Sequence, residues 1–318
     1  ALAPLMHGAS WWYACIQLLA GNALVLNHQR SFNGEAVWQI VADEKVNAVQ
    51  IVGDAMAIPL LDALEGNAER WDLSAVFNVG SGGAIFSDAK QEAFKKHFPN
   101  VFITNSFGSS EGGQMGMDNG SKKTASGLGN VTRTDFMDVI IDVEGEPRRH
   151  AELGETGIFA RAGYIPNGYY NDPVKTAKTF IEVDGKIWLL TGDAAKLEED
   201  GSIITVFGRG SNCINSGGEK IFPEEVEDAL KAHDGIFDAL VVGVEDERWG
   251  SRVCAIIQAR KGTQLSLENI QEHCRKHIAG YKVPREIHLI DELPRAPSGK
   301  PDYKTAKAYA ESGKGAVA

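Results

Sequence analysis

The sequence predicts a mixed α/β protein in three consecutive parts. These are a parallel α/β subdomain over residues 1–125, an antiparallel β subdomain over 126–207, and an α+β domain over 208–318. Three observations lead there. Up to about residue 107, short apolar strands alternate with helix-period segments, the pattern of a parallel sheet covered on both faces. After residue 120 the segments become short strands, two of them separated by Asp184-Gly185, a hairpin turn dipeptide, and Asp200-Gly201 is placed likewise. From Gly208 the pattern is mixed again and includes a helix opened by Pro223, a favoured first helical residue, followed by Glu224 and Glu225.

The elements follow in order. Residues 11–20 read as a helix that Gly21 stops, and 23–26 as a short strand. Residues 35–45 carry apolar side chains at 36, 37, 40 and 41, one helical face. A strand over 48–52, a helix over 56–64 weakened by Pro59, a strand over 75–79, a helix over 88–97 and a strand over 101–104 complete the parallel part. Strands at 139–143, 156–160, 179–183, 186–190 and 202–207 suit a small antiparallel sheet or barrel. The last part reads as a helix from Pro223, strands near 237–244 and 252–259, a helix near 266–279 and a strand near 286–290. There is no internal repeat and no low-complexity tract.

Charge and composition exclude several functions. The 318 residues hold 32 Lys and Arg against 43 Asp and Glu, a net charge of -11. An acidic chain is a poor nucleic-acid binder, since such binding needs clustered cations. A nucleotide substrate stays open, because glycine loops bind phosphate whatever the net charge. No apolar run is long enough to span a membrane; the best candidate, 16–26, is interrupted by Gln17, Gly21 and Asn22, and no signal peptide is visible. The four cysteines, Cys15, Cys213, Cys254 and Cys274, form no CxxC pair and read as free thiols of a reducing, cytoplasmic compartment. The chain opens on Ala within Pro4-Leu5-Met6-His7-Gly8, and is expected to be a piece of a longer protein. Oligomeric state is not readable.

Two glycine-rich strings follow predicted parallel strands: Gly80-Ser81-Gly82-Gly83-Ala84 and Phe107-Gly108-Ser109-Ser110-Glu111-Gly112-Gly113. Ligands of open α/β sheets bind beyond the carboxyl ends of the strands, and glycine lets backbone N–H groups approach a phosphate or base. Glu111 among hydroxyls could hold a divalent cation; each string alone is equally a turn. Thr191-Gly192-Asp193 places a carboxylate suited to two ribose hydroxyls, though by itself it reads as an Asp turn. Gly208-Arg209, then Asn215-Ser216-Gly217-Gly218-Glu219-Lys220, precedes the Pro223 helix. Near the end stands Pro294-Arg295-Ala296-Pro297-Ser298-Gly299-Lys300, a lysine on a loop stiffened by prolines, which can present a point charge to a developing anion.

Taken together, in this order and spacing, these strings resemble the adenylate-forming superfamily of acyl-CoA synthetases, peptide-synthetase adenylation domains and luciferases. The chain is most similar to the C-terminal portion of bacterial fatty-acid–CoA ligases, including the actinobacterial type acting on lipid or steroid side-chain acids. The resemblance implies a partial large N-domain, parallel sheet plus small β-barrel, followed by a mobile C-terminal domain. It implies that His7 lies near the acyl pocket and phosphate, with Met6 in place of an aromatic neighbour. Gly82, Gly83 and Ala84 would lie along adenine, Phe107 would stack on the base where a Tyr is usual, and Gly108 and Ser110 would complete the nucleotide loop, Ser110 touching the α-phosphate. Glu111 would hold Mg²⁺, Asp193 and Arg209 the ribose, Gly217 and Gly218 the pantetheine arm of coenzyme A, and Lys300 would be catalytic.

The chain departs from the family in three ways. The Ser/Thr/Gly-rich loop ending in Pro-Lys, expected upstream of His7, does not occur in it. Ser211 stands at the hinge position usually held by Asp or Lys, and a hinge need only absorb backbone rotation. Ser110 replaces Thr and keeps the hydroxyl.

The reading implied is activation of a carboxylic acid by ATP and Mg²⁺, then transfer to coenzyme A as the second substrate, catalysed mainly by positioning and charge neutralisation. Alternatives are a fatty acyl-AMP ligase feeding a carrier protein, a steroid side-chain acid–CoA ligase, and a truncated piece that keeps the fold without the activity. A dinucleotide-binding dehydrogenase is disfavoured, because no GxGxxG opens a helix after an early strand. His273 and His277 have the i, i+4 spacing of a metal pair but lack a third ligand, so with Cys274 they read as an exposed helix face. Trp11 and Trp12 suit an acyl pocket or a helix core equally.

Overall fold

The computed structural model describes residues 2–27, 29, 32–84, 86–118, 129–296 and 299–317. The chain forms two compact units: residues 1–105 with 214–318, and residues 106–213. Among the described residues no helix is long and apolar enough to cross a membrane.

The first unit begins with α1 (Gly8–Leu19), α2 (Gly34–Asp43), β1 (Ala48–Ile51), α3 (Asp54–Leu64), β2 (Asn78–Gly82), α4 (Asp88–His97) and the start of β3 (Phe102–Ser109). Strands β1 and β2 are parallel, from Ala48 opposite Asn78 to Ile51 opposite Ser81. Val37, Trp38, Ile51, Leu60, Leu64, Val79 and Phe94 bury the helices against the sheet. The Trp38 indole N–H donates to the Leu60 carbonyl at 2.8 Å, so a large aromatic is buried with its polar atom satisfied. Helix α3 tolerates Pro59 and is buried along most of its length. The expected strand at 23–26 does not form. At β1 the Gln50 carbonyl is met by the Leu2 N–H at 3.3 Å, and a four-residue apolar run has no strand identity without a ladder.

The second unit carries the end of β3, then β4 (Gly113–Asp118), β5 (Gly129–Thr132), β6 (Met137–Ile141), β7 (Arg149–His150), β8 (Thr156–Arg161), α5 (Pro173–Thr179), β9 (Phe180–Val183), β10 (Lys186–Leu197) and β11 (Ile203–Arg209). The main sheet runs β5-β11-β10-β8-β6-β7, with β9 also on β10. Asp184 and Gly185 join β9 to β10 with φ of 51° and 74°; two positive φ angles in a two-residue loop are what a tight hairpin needs.

The first unit resumes with β12 (Ile214–Ser216), β13 (Glu219–Ile221), α6 (Pro223–Lys231), β14 (Ile236–Asp246), β15 (Gly250–Ala259), α7 (Leu267–Cys274), β16 (Glu286–Leu289), α8 (Tyr303–Glu311) and β17 (Ala316–Val317). The strand order is β14-β15-β16-β17. Alternation along β14 builds two cores: Ala239 and Val241 pack with Val226, Leu230, Ile270 and Cys274, while Leu240 and Val242 pack with Ala306 and Ala310.

Candidate active site

His7 caps α1, and its Nδ1 accepts from the Ala9 N–H at 3.3 Å. The neutral ring therefore carries its proton on Nε2. Burial first, then the positive charge of Lys300, holds the imidazole below its ordinary value, which keeps His7 a neutral donor. Gly83 adopts φ +86°, and a Cβ there would stand 2.8 Å from His7 Cε1. The absence of a side chain is what brings this turn onto the imidazole.

The string around Gly82 is less of a loop than its glycines suggest. Gly80, Ser81 and Gly82 belong to β2, and only Gly83 and Ala84 form the bend. A Cβ at Gly80 would collide with Gln50 and stand 3.0 Å from Thr104 Oγ1, so that glycine serves strand packing. Phe107, Gly108 and Ser109 likewise close β3, leaving Ser110, Glu111 and Gly112 as the turn. A Cβ at Gly108 would strike the Gly113 carbonyl.

Lys300 ends a tight loop. The Ala296 N–H donates to the Lys300 carbonyl at 2.9 Å, the Gly299 N–H to Ala296 at 2.8 Å and the Asp302 N–H to Pro294 at 3.0 Å. Arg295 Nη1 donates to the Gly299 carbonyl at 2.9 Å. Pro297, one of the two prolines expected to stiffen this loop, lies outside the described residues, as does Ser298. Among the described residues the Lys300 ammonium has no ion-pair partner. Gly217 and Gly218 form the β12–β13 turn with φ of 62° and 91°. Gly217 lies under Trp249, where a Cβ would approach Cε3 to 2.7 Å; beside Gly218 there is open space.

In the second unit Tyr169 Oη donates to Glu111 Oε1 at 2.7 Å. Burial alone would raise the Glu111 carboxyl, but the Tyr169 bond, its own backbone N–H, Lys175 and Arg209 outweigh it and the net shift is downward. An ionised carboxylate with oxygen donors is the chemistry a hard cation requires, so this residue fits Mg²⁺. Phe107 and Phe159 meet edge to face, centroids 5.3 Å apart at 69°. Thr191-Gly192-Asp193 is a bulge inside β10 and no terminal turn: the register against β8 breaks between Leu190 and Ala194. Bulges re-aim side chains, and here Asp193, 6% exposed, meets Arg209 Nε at 3.3 Å. Arg209 Nη1 also donates to the Thr191 carbonyl at 2.7 Å. Ser211 lies in the 3-10 turn Gly210–Asn212, just before the unit boundary at 213/214.

Two contributors were missed from the sequence, Tyr169 and Lys175, the latter with Nζ 3.8 Å from the Tyr169 ring centroid. The readable signal was Asp172-Pro173, an N-cap and first helical residue that anchor the turn before α5. The exposed face expected at 273–277 is corrected in part. Cys274 is fully buried with its thiol pushed up to about 11 by burial, and His273 Nε2 meets the Ala229 carbonyl at 2.9 Å. Trp11 is 54% exposed, so it is not a core residue.

Two family models match the chain: one described as AMP-binding enzyme matches residues 1–170, and one described as AMP-binding enzyme C-terminal domain matches 225–300. The chain belongs to the AMP-binding enzyme family. It is 45% identical over 308 residues to a 3-oxocholest-4-en-26-oate–CoA ligase of Rhodococcus rhodochrous, covering 96% of this chain and 55% of that protein. It is also 45% identical over 311 residues to a medium/long-chain-fatty-acid–CoA/3-oxocholest-4-en-26-oate–CoA ligase of Mycolicibacterium smegmatis, covering 97% and 56%. The chain thus spans about half the length of these curated relatives. Its fold is shared with the amide bond synthetase McbA from Marinactinospora thermotolerans, at TM-score 0.79 and 24% identity over 97% of this chain and 60% of that one.

Proposed function

We propose that this chain is part of an acid–CoA ligase that proceeds through an acyl-adenylate. The carboxylate of the acid attacks the α-phosphorus of ATP, and the bond to pyrophosphate breaks. The thiol sulfur of coenzyme A then attacks the acyl carbonyl, its proton is lost and AMP leaves. The observation that carries this reading is the Lys300 loop, whose positive charge helps keep neutral a His7 held against Gly83. A cation whose field reaches a neutral donor held against a glycine turn suits charge that appears on phosphate oxygens in the transition state.

In this reading Lys300 supplies the mobile positive charge and His7 donates its Nε2–H. Gly82, Gly83 and Ala84 accommodate adenine, Phe107 packs on the base, and Gly108 leaves the turn free for Ser110 to reach the α-phosphate. Asp193 accepts the ribose hydroxyls, oriented by Arg209. Glu111 would hold Mg²⁺, which when bound neutralises phosphate oxygens. Gly217 and Gly218 would flank the pantetheine arm, and residues 208–318 would turn about Ser211 between the half-reactions. The relatives' names support a substrate with a carboxylate on a bulky apolar body, a fatty or steroid side-chain acid. Four cysteines in the thiol form support a reducing, cytoplasmic setting.

The test is pyrophosphate release and thioester formation by the full-length polypeptide over fatty, aromatic and steroid side-chain acids, with and without coenzyme A. Acid-dependent pyrophosphate release with acyl-CoA as product is expected. Adenylate accumulation that coenzyme A does not relieve would favour an acyl-AMP ligase, and no acid-dependent release would end the reading.

A further inference from the structure

Between the Gly83 turn and the Lys300 loop runs a line of charged and polar groups, largely buried, that the proposed reaction does not use. Ser87, three residues beyond Ala84, donates its N–H to Asp54 Oδ1 at 2.9 Å. Asp54 Oδ2 faces Lys231 Nζ of α6 at 3.2 Å, with side-chain exposures of 2% and 4%. Lys231 Nζ lies 3.7 Å from Asp238 Oδ1 and 4.0 Å from Glu227 Oε2. Asp238 Oδ2 pairs with Arg295 Nη2, and Arg295 Nη1 holds the Gly299 carbonyl at 2.9 Å, next to Lys300. From the other side Ser81 Oγ accepts the Gly53 N–H at 3.0 Å, fixing the start of α3 to β2.

Three features make this more than a packing accident. Charges removed from water are costly unless paired, and a buried ion pair is seldom a net source of stability, so its retention points to placement. Burial alone would lower the Lys231 ammonium, but Asp54, Asp238 and Glu227 outweigh it and raise it, so the bridge stays charged. Lys231 also lies within ion-pair distance of both Asp54, at 3.2 Å, and Asp238, at 3.7 Å, and among the described residues it is the side chain whose ion pairs join the two.

We propose that Lys231 is a positioning residue: through Asp54 on one side and Asp238 and Arg295 on the other, it sets the Lys300 loop against the His7–Gly83 turn. The kinetic part rests on the adenylation reading above; the placement part does not. Lys90, also buried, feels the same aspartates, and Coulomb attraction to Asp54 and Asp238 partly offsets its desolvation.

Lys231→Met alone would strand Asp54, so the informative variant is Asp54→Asn with Lys231→Met in the full-length polypeptide. Asn keeps an acceptor for Ser87, and neutral replacement of a buried pair is commonly tolerated. Lys231→Arg is the conservative companion. Two readouts are taken. One is the turnover and acid KM of adenylate formation. The other is competitive trace acetylation of the Lys300 amine, quantified by peptide mass spectrometry, which needs no activity. The double variant should melt within a few degrees of the parent, lose about tenfold or more in turnover with acid KM within about twofold, and acetylate Lys300 severalfold faster or slower. Lys231→Arg should recover most of both. In a Lys300→Ala background the double substitution should cost nothing further, since a lysine already removed cannot be misplaced. Unchanged Lys300 acetylation in a folded double variant would overturn the proposal, as would a loss that adds fully to Lys300→Ala. Should the parent not adenylate, the acetylation result alone decides placement.

Discussion

Replacing Gly83 with Ala tests whether the imidazole of His7 is held where the chemistry needs it. Two costs are separable. The backbone there has φ +86°, which costs a non-glycine residue about 1 kcal/mol or somewhat more. The new Cβ would also stand 2.8 Å from His7 Cε1, whereas carbon–carbon contacts settle near ~3.5 Å, so ring or turn must give by about 0.7 Å. The ring has little freedom, because its Nδ1 is tied to the Ala9 N–H. A misplacement of about 1 Å can cost about a hundredfold in rate, so about tenfold is expected here. Gly66→Ala is the control: φ +73° and nothing within 4 Å of the added carbon, hence strain without collision. Thermal melts and acid-dependent pyrophosphate release are measured for both in the full-length polypeptide. Both should melt a few degrees low, and only Gly83→Ala should lose turnover. Parent turnover in a folded Gly83→Ala protein, or an equal loss in Gly66→Ala, would refute the reasoning.

Lys300→Ala should lower adenylation by about a hundredfold or more while thioester formation from preformed acyl-AMP survives much better; equal loss in both half-reactions would make Lys300 structural. The folded His7 value lies below the reference 6.5, so the unfolded chain binds this proton first; its contribution to stability is complete above about pH 6.5 and is lost as pH falls through the folded value. Lys300→Ala should move the His7 titration upward by NMR, and an unmoved titration would separate the two residues. Burial pushes the Cys254 and Cys274 thiols up to about 12 and about 11, so at pH 8 iodoacetamide should label Cys15 and Cys213 first; early labelling of Cys254 or Cys274 counts against the described cores. Gly218→Asn, a residue that tolerates positive φ and faces open space, should leave melting and adenylation near normal and slow CoA transfer; unchanged transfer would remove Gly218 from the CoA path.

Asparagine at Gly218 separates two explanations that a bulkier residue would not. With φ of 91°, a leucine would strain the turn whether or not coenzyme A passes it, and the two explanations would merge. Local chemistry of this kind was legible: Pro223 opens α6, Asp184-Gly185 closes a hairpin, and α4 spans 88–97 as its pattern predicts. The limits of strands beside the site were not. Gly80 and Gly108 look like loop residues because glycine marks turns, yet each is in a strand whose neighbour approaches too closely for a Cβ. Asp193 reads as a turn residue because a bulge is defined by its partner strands β8 and β11, which no local window contains.

The same limit hid the charged side chains of α6. Its segment Glu224-Glu225-Val226-Glu227-Asp228-Ala229-Leu230-Lys231 has the composition of a solvated acidic helix, and Glu227 with Lys231 has the spacing of an ordinary surface i, i+4 pair. In the fold, Glu224, Glu227 and Lys231 are all buried. Glu227 is satisfied by the Val241 N–H at 2.9 Å and approached by the Tyr303 hydroxyl at 3.3 Å, partners from β14 and α8. Lys231 is satisfied by Asp54 and Asp238, one far upstream and one across the next strand. Such burial follows from tertiary partners that periodicity cannot name. The residues that hold Lys300 in place are therefore those whose sequence gives no sign of chemistry, and charge tolerated without water at that position is the physical sign that singles them out.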